Sequence, residues 1–332
     1  MTDWELVDKT IKNEPTERAP VGFWSHFLDE AETGDASLDE SLAAKNVEGH
    51  RKRIAECQPD LVKIMSDGFF HYPVPGGAES LTSLESLNSV EVLAGDHLWI
   101  RAQVELVKAV RSMKKDTFYF YNVFSPATTL RFMLGRPRFT RLLKEEPNKV
   151  KAVLDRMAMG LEALSKAVIV EGGADGLYLS VQNPDVTVFS DDFYRRWLAA
   201  GELYLLASSN QVGGRSILHI CGYGGVRNNL ACFSDYPASI FSWAVNVEGV
   251  SLGEGRRIFG GKAVLGGFPN VDGSILQTGD KPAIADFTRK LLAEAGPTGV
   301  IVGADCTIPP HTPIESLEWV REAAWRNAGR TE

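Results

Sequence analysis

Eight short apolar runs, separated by segments of helical periodicity, constrain the fold of this 332-residue chain more than any other feature. Each run holds about five to eight residues rich in β-branched, aromatic or leucine side chains, which is typical of strands buried on both faces. The runs cover residues 19–24, 60–66, 117–123, 175–181, 216–221, 241–246, 263–268 and 298–305. Alternation of such strands with helices predicts a parallel sheet in an α/β protein.

The segments between the runs carry apolar residues at three- and four-residue intervals, as amphipathic helices do. The clearest of these segments are residues 37–57, 96–113, 147–171, 191–211 and 281–295, and Pro313 begins one more helix near the C-terminus. Eight strand–helix units predict a (β/α)8 barrel of the TIM type with a short helical N-terminal extension. We expect residues 1–332 to form one such domain.

Composition and charge exclude several classes of protein. The chain has no apolar stretch of the length needed for a membrane span, and its first five residues, MTDWE, do not open a secretory signal. Four cysteines in this length do not form a disulfide framework, so a reducing compartment is expected. A net charge of −8 argues against nucleic acid as a partner. We therefore expect a cytoplasmic protein, and the sequence leaves a homodimer open.

Polar side chains cluster where the apolar runs end, which is where barrel enzymes carry their chemistry. We predict catalytic roles for Asp67, His26 and Asp305. The predicted substrate-binding residues are Gln182, Asn122, Tyr178 and Gly222, and Asn183 follows Gln182 at the end of the same apolar run. Simpler interpretations remain open for several of these residues. His26 could bond a backbone carbonyl, Gln182 could cap its own loop, and Asp305 could be a solvated loop carboxylate.

His219, Cys221 and Cys306 form a candidate metal site. Imidazole nitrogen and thiolate sulfur are ligands of zinc, and three protein ligands with an open fourth position are typical of a catalytic site. His219 and Cys221 are two residues apart on a predicted strand, so their side chains point to the same face. Cys306 follows a strand three positions away around the barrel, so the chain must bend near Gly222 or Thr307 to bring it close. Buried thiols beside a core histidine are the alternative.

Six segments, in order along nearly the whole chain, resemble the uroporphyrinogen decarboxylase superfamily. They are residues 13–21, 124–130, 173–178, 218–222, 265–268 and 303–313, and they include the sequences LHICG and ADCTIPP. The resemblance implies a distorted (β/α)8 barrel, in agreement with the strand count. It also implies one of two chemistries, because the superfamily contains decarboxylases and cobalamin-dependent methyltransferases.

The methyltransferase branch matches this chain better at the metal site. Its members, which act on thiols such as coenzyme M, carry a His-x-Cys…Cys zinc site that His219, Cys221 and Cys306 match, although Thr307 replaces a small residue. The resemblance implies a zinc-dependent methyltransferase that moves a methyl group from a corrinoid to a small thiol. The corrinoid would be methylcobalamin or the cofactor of a partner protein.

Uroporphyrinogen decarboxylation, a carboxy-lyase reaction of tetrapyrrole biosynthesis, is the first alternative. Decarboxylases resemble one another in an Arg-Gln-Ala-Gly-Arg segment after the first strand, but residues 22–29 contain no arginine here. Asp67 matches the aspartate that binds pyrrole N–H groups in that branch. The substrate carboxylates would need arginines from elsewhere, and Arg131, Arg195, Arg196 and Arg227 are candidates that are more simply solvated helix-face charges. A non-catalytic corrinoid- or tetrapyrrole-binding barrel is the second alternative.

Overall fold

The computed structural model of the chain describes residues 1–29, 34–182 and 188–325. Within these residues, seven strands form one parallel sheet in which the spatial order follows the chain order. The strands are β1 (Leu61–Ile64), β2 (Phe118–Phe124), β3 (Gly176–Val181), β4 (Ile217–Ile220), β5 (Ile240–Trp243), β6 (Ala263–Phe268) and β7 (Val300–Ala304). The α/β class and the parallel sheet are therefore confirmed.

Thirteen α-helices lie in the described parts of the chain, most of them between successive strands. They are α1 (Asp3–Ile11), α2 (Glu40–Cys57), α3 (Leu98–Arg111), α4 (Pro126–Leu134), α5 (Arg136–Glu145), α6 (Pro147–Val170), α7 (Asp191–Trp197), α8 (Ala199–Gln211), α9 (Val245–Glu248), α10 (Leu252–Ile258), α11 (Ile275–Thr278), α12 (Lys281–Ala295) and α13 (Ile314–Ala323). Short 3-10 helices cover Ala78–Ser80, Ser86–Ser89, Tyr223–Gly225 and Leu230–Phe233. None of the described helices is long and apolar enough to cross a membrane.

The predicted strand at residues 19–24 is not a regular strand, so the expected count of eight strands is wrong for the described residues. Val21 makes a single parallel bridge to Val302 of β7. Pro20 has no N–H to donate, and the N–H of Val21 bonds the side chain of Asp60 at 2.7 Å instead of a backbone carbonyl. The backbone N–H of Asp60, the residue before β1, donates to Val21. This run therefore forms hydrogen bonds with both edges of the curled sheet, but too few backbone–backbone bonds to count as a regular strand.

Three further boundaries differ from the prediction, each for a local reason. The strand expected over 241–246 ends at Trp243 because α9 begins at Val245. The helical segment 191–211 is two helices that meet at Leu198. The helix expected from residue 37 begins at Glu40, where the side chain of Asp39 accepts a hydrogen bond from Ser41 and caps the first turn.

The inner face of the sheet is apolar near the start of the strands. A buried cluster there includes Leu61, Phe118, Phe120, Ile217, Ile240, Leu265 and Ile301. Helix α1 covers this end, with Val7 in the cluster and Trp4 stacked on Phe118 at 5.5 Å between ring centroids. The N–H of Trp4 donates to Asp116, just before β2, which fixes the helix at the N-terminal ends of the strands. That end of the sheet interior is therefore closed and apolar.

The inner face becomes polar toward the carboxyl ends of the strands. Because alternate residues of a strand share a face, the residues two positions after the apolar ones also point inward. These buried residues are Lys63, Asn122, Ser180, His219 and Ser242. Ser180, His219 and Ser242 are direct neighbours across three strands. The interior thus ends in a polar layer that faces the loops following the strands.

We expect the Asp60→Asn variant to lower the free energy of unfolding by about 3 kcal/mol, because removal of one partner leaves a buried charge unpaired. Arg18 holds Asp60 with two bonds of 2.5 and 2.8 Å, and Asp60 is only 1% exposed. Urea unfolding would measure the change. Asp235→Asn is the matched control, since the Arg195–Asp235 pair is partly exposed and its loss should cost under about 1 kcal/mol. An equal loss of unfolding free energy in the two variants would show that the buried Arg18–Asp60 pair stabilises the fold no more than the partly exposed pair does.

Candidate metal centre and adjoining pocket

His219, Cys221 and Cys306 converge at the carboxyl ends of β4 and β7. Their ligand atoms all lie within 4.8 Å of one another, and the two sulfur atoms are 4.0 Å apart. His219 is fully buried and Cys221 is 6% exposed. The structure therefore brings together the three residues that the sequence predicted as metal ligands.

The close approach of Cys221 to Cys306 depends on the curl of the sheet and on one glycine. The N–H of Cys221 still donates to Val181 of β3, so the strand geometry continues past Ile220. Gly222 then turns the chain against the next strand–helix junction, where a Cβ atom on Gly222 would lie 2.7 Å from the Cβ of Ala244. A larger residue at position 222 would therefore displace the segment that carries Cys221.

The imidazole of His219 is oriented for coordination through Nε2. Its Nδ1 lies 3.0 Å from the hydroxyl of Ser242, while Nε2 is buried and makes no hydrogen bond within the described residues. Two sulfurs bound to tetrahedral zinc at ~2.3 Å would be separated by ~3.8 Å, close to the distance between Cys221 and Cys306. The residues present therefore fit a zinc ion in both donor type and spacing.

The contact between the two thiols shifts their pKa values in opposite directions. The hydrogen bond from Cys221 and the proximity of His219 hold the pKa of Cys306 well below its ordinary value, although burial opposes this shift. The pKa of Cys221 is well above its ordinary value, because it donates that hydrogen bond and is buried. A divalent cation at this position would favour the loss of the second proton as well.

Lys63 is a residue of the site that the sequence reasoning missed. It lies on β1, is 6% exposed, and places Nζ 4.0 Å from the centroid of the Tyr178 ring. Burial lowers its pKa to about 8, while the proximity of Cys306, Asp67 and Cys221 opposes that shift. A lysine inside a strand buried on both faces is itself unusual, and that signal could have identified it.

Asp305 is buried beside the cysteine pair and is not a solvated loop carboxylate. One carboxylate oxygen accepts bonds from the backbone and side-chain nitrogens of Asn246 at 2.8 and 2.9 Å. The other oxygen is buried and has no hydrogen-bond partner in the described parts of the chain. Burial raises the pKa of Asp305 to about 6.

Asp67 and His26 form a pair at the opening of the site. Nδ1 of His26 donates to one oxygen of Asp67 at 2.8 Å, and the backbone N–H of Phe27 donates to the other at 2.7 Å. Asp67 is buried, whereas 45% of the His26 side chain is exposed. His26 therefore bonds a carboxylate, and not the backbone carbonyl that was the alternative.

A pocket of about 390 Å³ opens next to these residues. Most of its lining residues carry an aromatic ring or a carboxylate. The lining consists of His26, Leu28, Asp29, Gly34, Asp35, Asp67, Gly68, Phe70, His71, Phe124, Phe132, Gln182 and Tyr223. Phe124 packs edge-to-face against both Phe70 and Phe132, at 5.1 and 4.9 Å between ring centroids. The three candidate ligands lie outside this lining, but Tyr223 is two residues after Cys221 and connects the two regions.

Arg131 lies behind the wall of this pocket and is not a solvated helix-face charge. It is 5% exposed, and its guanidinium donates to the side-chain oxygen of Gln182. The backbone N–H of Gln182 donates to the hydroxyl of Thr128 at 3.0 Å, so helix α4 holds Gln182 from two sides.

The other candidate arginines lie away from the pocket lining. Arg195 forms two bonds with Asp235, Arg196 is exposed beside Trp197, and Arg227 donates to the carbonyl of Val247. For these three, the simpler interpretation of surface or structural charges agrees with the geometry.

The remaining predicted residues lie deeper than the pocket or outside the described chain. The side-chain nitrogen of Asn122 donates to Ser66 at 2.7 Å, and its oxygen is buried without a partner among the described residues. Tyr178 packs on the His219 ring at 5.1 Å between centroids. Gly222 is half-buried, and Asn183 lies outside the described residues. Their predicted roles in substrate binding stay predictions.

The sequence matches the family described as uroporphyrinogen decarboxylase (URO-D) over residues 72–326. This match covers more than half of the chain, and the chain therefore belongs to the uroporphyrinogen decarboxylase family. None of the curated proteins matches the sequence closely enough to count as a relative.

Solved structures with a similar fold include enzymes of several kinds. A methyltransferase from Methanosarcina mazei is 17% identical, with a TM-score of 0.73 and coverage of 98% of each chain. A B12-independent methionine synthase from Shewanella sp. W3-18-1 is 14% identical, with a TM-score of 0.59 and coverage of 93% of this chain and 96% of that one. A β-mannanase from the blue mussel Mytilus edulis is 10% identical, with a TM-score of 0.53 and coverage of 94% and 93%. At these identities the likeness establishes the fold alone.

Proposed function

We propose that this protein is a zinc-dependent methyltransferase that moves a methyl group from a corrinoid to a small thiol. The observation that carries the proposal is the convergence of the buried, unpartnered Nε2 of His219 with two sulfur atoms, all within 4.8 Å. Three such ligands leave a fourth position for a substrate. Two methyl-transferring enzymes share the fold, which supports the same reaction class.

The residues that would hold zinc are His219 through Nε2 and Cys221 and Cys306 through sulfur. The hydroxyl of Ser242, 3.0 Å from Nδ1 of His219, would accept the Nδ1 proton and so fix the tautomer that coordinates through Nε2. When bound, zinc would lower the pKa of a substrate thiol so that a nucleophilic thiolate exists at neutral pH. Asp305 would hold the loop that carries Cys306 through its bonds to Asn246.

Lys63 would balance the charge of the reactive state. Two thiolates and a neutral histidine cancel the charge of a divalent cation, so a substrate thiolate adds one uncompensated negative charge. The ammonium of Lys63 lies close enough to Cys221 and Cys306 to favour the thiolate form of each in this buried region. Tyr178, whose ring faces Nζ at 4.0 Å, holds the ammonium in place.

The aromatic pocket would admit the thiol and align it with the methyl donor. Phe70, Phe124 and Phe132 exclude water from the wall of the pocket, which protects the thiolate from solvation. In the transfer, a sulfur–carbon bond forms as the bond between the methyl group and its donor breaks, and the electron pair of that bond stays with the donor. The corrinoid would be free methylcobalamin or the cofactor of a partner protein placed over the opening.

Decarboxylation of uroporphyrinogen is disfavoured by the charge of the pocket. Asp29, Asp35 and Asp67 belong to its lining, while no arginine or lysine does so among the described residues. The acetate groups of uroporphyrinogen would face these carboxylates without bidentate partners, and a buried carboxylate without a partner is costly.

Elemental analysis of the purified protein should give about one zinc per chain, and His219→Ala and Cys306→Ser should each lose the metal, because an open three-ligand site tolerates no missing ligand. Cys232→Ser is the control, since Cys232 is half-buried and is not part of the ligand cluster. Unchanged zinc content in Cys306→Ser would remove the basis of the proposal.

We expect the Lys63→Met variant to keep its zinc and to lose about tenfold or more in kcat/KM for methyl transfer, which corresponds to about 1.4 kcal/mol. Loss of the ammonium should raise the pKa of the bound thiol, so the pH profile of the rate should move to higher pH. A uniform loss of rate with an unshifted profile would indicate a purely structural role for Lys63.

The reaction itself is tested with two parallel assays on the zinc-loaded protein. Demethylation of methylcobalamin by small thiols should proceed at a rate that Cys306→Ser abolishes, while coproporphyrinogen should not form from uroporphyrinogen. Robust coproporphyrinogen formation would favour the decarboxylase alternative. If neither reaction occurs although zinc is bound, a non-catalytic binding protein would be favoured. A methyl donor other than a corrinoid, as the name of the B12-independent Shewanella enzyme indicates for that protein, would be the other possibility.

A further inference from the structure

Glu202 is a buried carboxyl group to which no cation is bonded within the described residues. It lies on α8 and is 1% exposed. Its two oxygens accept hydrogen bonds from the hydroxyls of Tyr194, at 2.6 Å, and Tyr236, at 2.7 Å. Arg195 is the one described basic residue whose charge acts on it, and Arg195 itself forms two bonds with Asp235. The carboxyl group is therefore held by neutral donors.

The two tyrosines join α8 to two segments that follow different strands. Tyr194 is on α7, in the connection that follows β3, and Tyr236 is in the connection that follows β4. Phe233 packs edge-to-face against both rings, at 5.4 and 5.2 Å between centroids. We call Glu202, Tyr194 and Tyr236 the carboxyl clamp, because they fasten α7 and residues 230–236 to the same point of α8.

The two fastened segments continue connections that supply part of the pocket wall. Gln182 lies after β3 and before α7, and Tyr223 lies after β4 and before residues 230–236. Asn228, between Tyr223 and that segment, donates to the backbone carbonyl of Cys221 at 3.2 Å. The carboxyl clamp is therefore joined through the chain both to the pocket and to the segment that carries Cys221.

The charged and titratable groups around the clamp come from the elements packed against α8. α7 supplies Asp191 and Arg195, the connection after β4 supplies Cys232 and Asp235, α4 supplies Arg131, and α6 supplies Glu162 and Lys166, while β3 presents apolar residues. The cations among them have other partners, which are Asp235, Gln182 and Glu162. Burial raises the pKa of Glu202 to about 7, although both tyrosine hydroxyls, the hydroxyl of Ser125 and the charge of Arg195 oppose this shift.

We propose that the carboxyl clamp is a pH-sensitive switch, in which protonated Glu202 fastens α7 and residues 230–236 to α8 and ionised Glu202 loosens them. A protonated carboxyl group is neutral, and it can both donate and accept hydrogen bonds beside two tyrosines. An ionised carboxylate at this position holds a charge away from water and without a bonded cation, which is unfavourable. The inference depends neither on a bound metal nor on the identity of the substrate.

Protons stabilise the fastened state of the clamp. In a loosened clamp the carboxyl group is solvated and titrates at its ordinary pKa of 4.5, whereas in the fastened clamp its pKa is about 7. The stability that the proton supplies is therefore complete below about pH 4.5 and is lost as the pH rises to about 7. Above this pH the stability of the clamp should no longer change.

Hydrogen exchange followed by mass spectrometry tests this switch on the full chain. We expect the protection of residues 191–197 and 230–236, corrected for the intrinsic exchange rate, to fall at least about tenfold between about pH 5.5 and about pH 7.5. Helix α12, which packs against α10 and α13, is the reference and should change less. In Glu202→Gln, whose neutral side chain resembles the protonated acid, the protection of both segments should not depend on pH.

Two further variants separate the charge of Glu202 from other effects. Tyr236→Phe removes a donor that lowers the pKa of Glu202, so the loss of protection should extend to higher pH than in the unaltered protein. Glu145→Gln removes an exposed carboxylate of α5 and should behave as the unaltered protein does. If Glu202→Gln does not fold, the shift in Tyr236→Phe decides the question, and an unshifted pH dependence there would overturn the switch.

The remaining outcomes separate this inference from the proposed function. An equal pH dependence in Glu202→Gln and in the unaltered protein would overturn the switch, because the proton would then belong to another group. Protection that does not vary with pH in the unaltered protein would overturn it as well. Neither result requires zinc or methyl transfer, so failure of the switch leaves the metal site standing, and failure of the metal site leaves the switch standing.

Discussion

The alternation of side chains along short parallel strands is the constraint on which the rest of this structure depends. Because every second residue faces the interior, a strand can place an apolar residue inward near its start and a polar one nearer its end, and β1 to β5 do so. Ile217 and His219 on β4, and Ile240 and Ser242 on β5, are such pairs. The parallel register places His219 directly beside Ser242. One periodicity thus supplies an apolar base for stability and a polar layer for chemistry.

The curvature of the sheet brings side chains from distant strands together at this polar layer and so forms the site. β4 and β7 are three strands apart in the sheet order, yet Cys221 and Cys306 lie with their sulfurs 4.0 Å apart. Strands of a curled sheet approach one another across the interior, so residues distant in strand order become neighbours. Gly222 permits the close packing that this approach requires, because a Cβ atom there would contact Ala244.

Burial changes the pKa values of charged residues at the site. Lys63 and Asp305 are nearly inaccessible to water, and burial shifts the pKa of each toward neutrality, to about 8 and about 6. In a region of low effective dielectric constant, charges interact more strongly than they do in solvent. Arg131 is a further buried cation, and it donates to Gln182, a residue of the pocket lining. The acidic and cationic groups therefore come from different segments of the chain.

The sequence by itself determined the α/β class, seven of the eight predicted strands, and His219 and Cys221 on one face, because periodicity and two-residue spacing are local properties. It also identified Cys306 as a candidate ligand from its residue type and its place after a predicted strand, and the resemblance to a known family agreed with this. Only the tertiary structure decided that Cys306 meets the other two ligands, that Asp60 replaces part of an eighth strand, and that Lys63 and Arg131 are buried. A helical or strand pattern shows which face a side chain occupies, but not what covers that face. The contacts of Lys63 and Arg131 depend on how the sheet curls and on which helix packs beside it, and neither is encoded in the spacing of residues nearby.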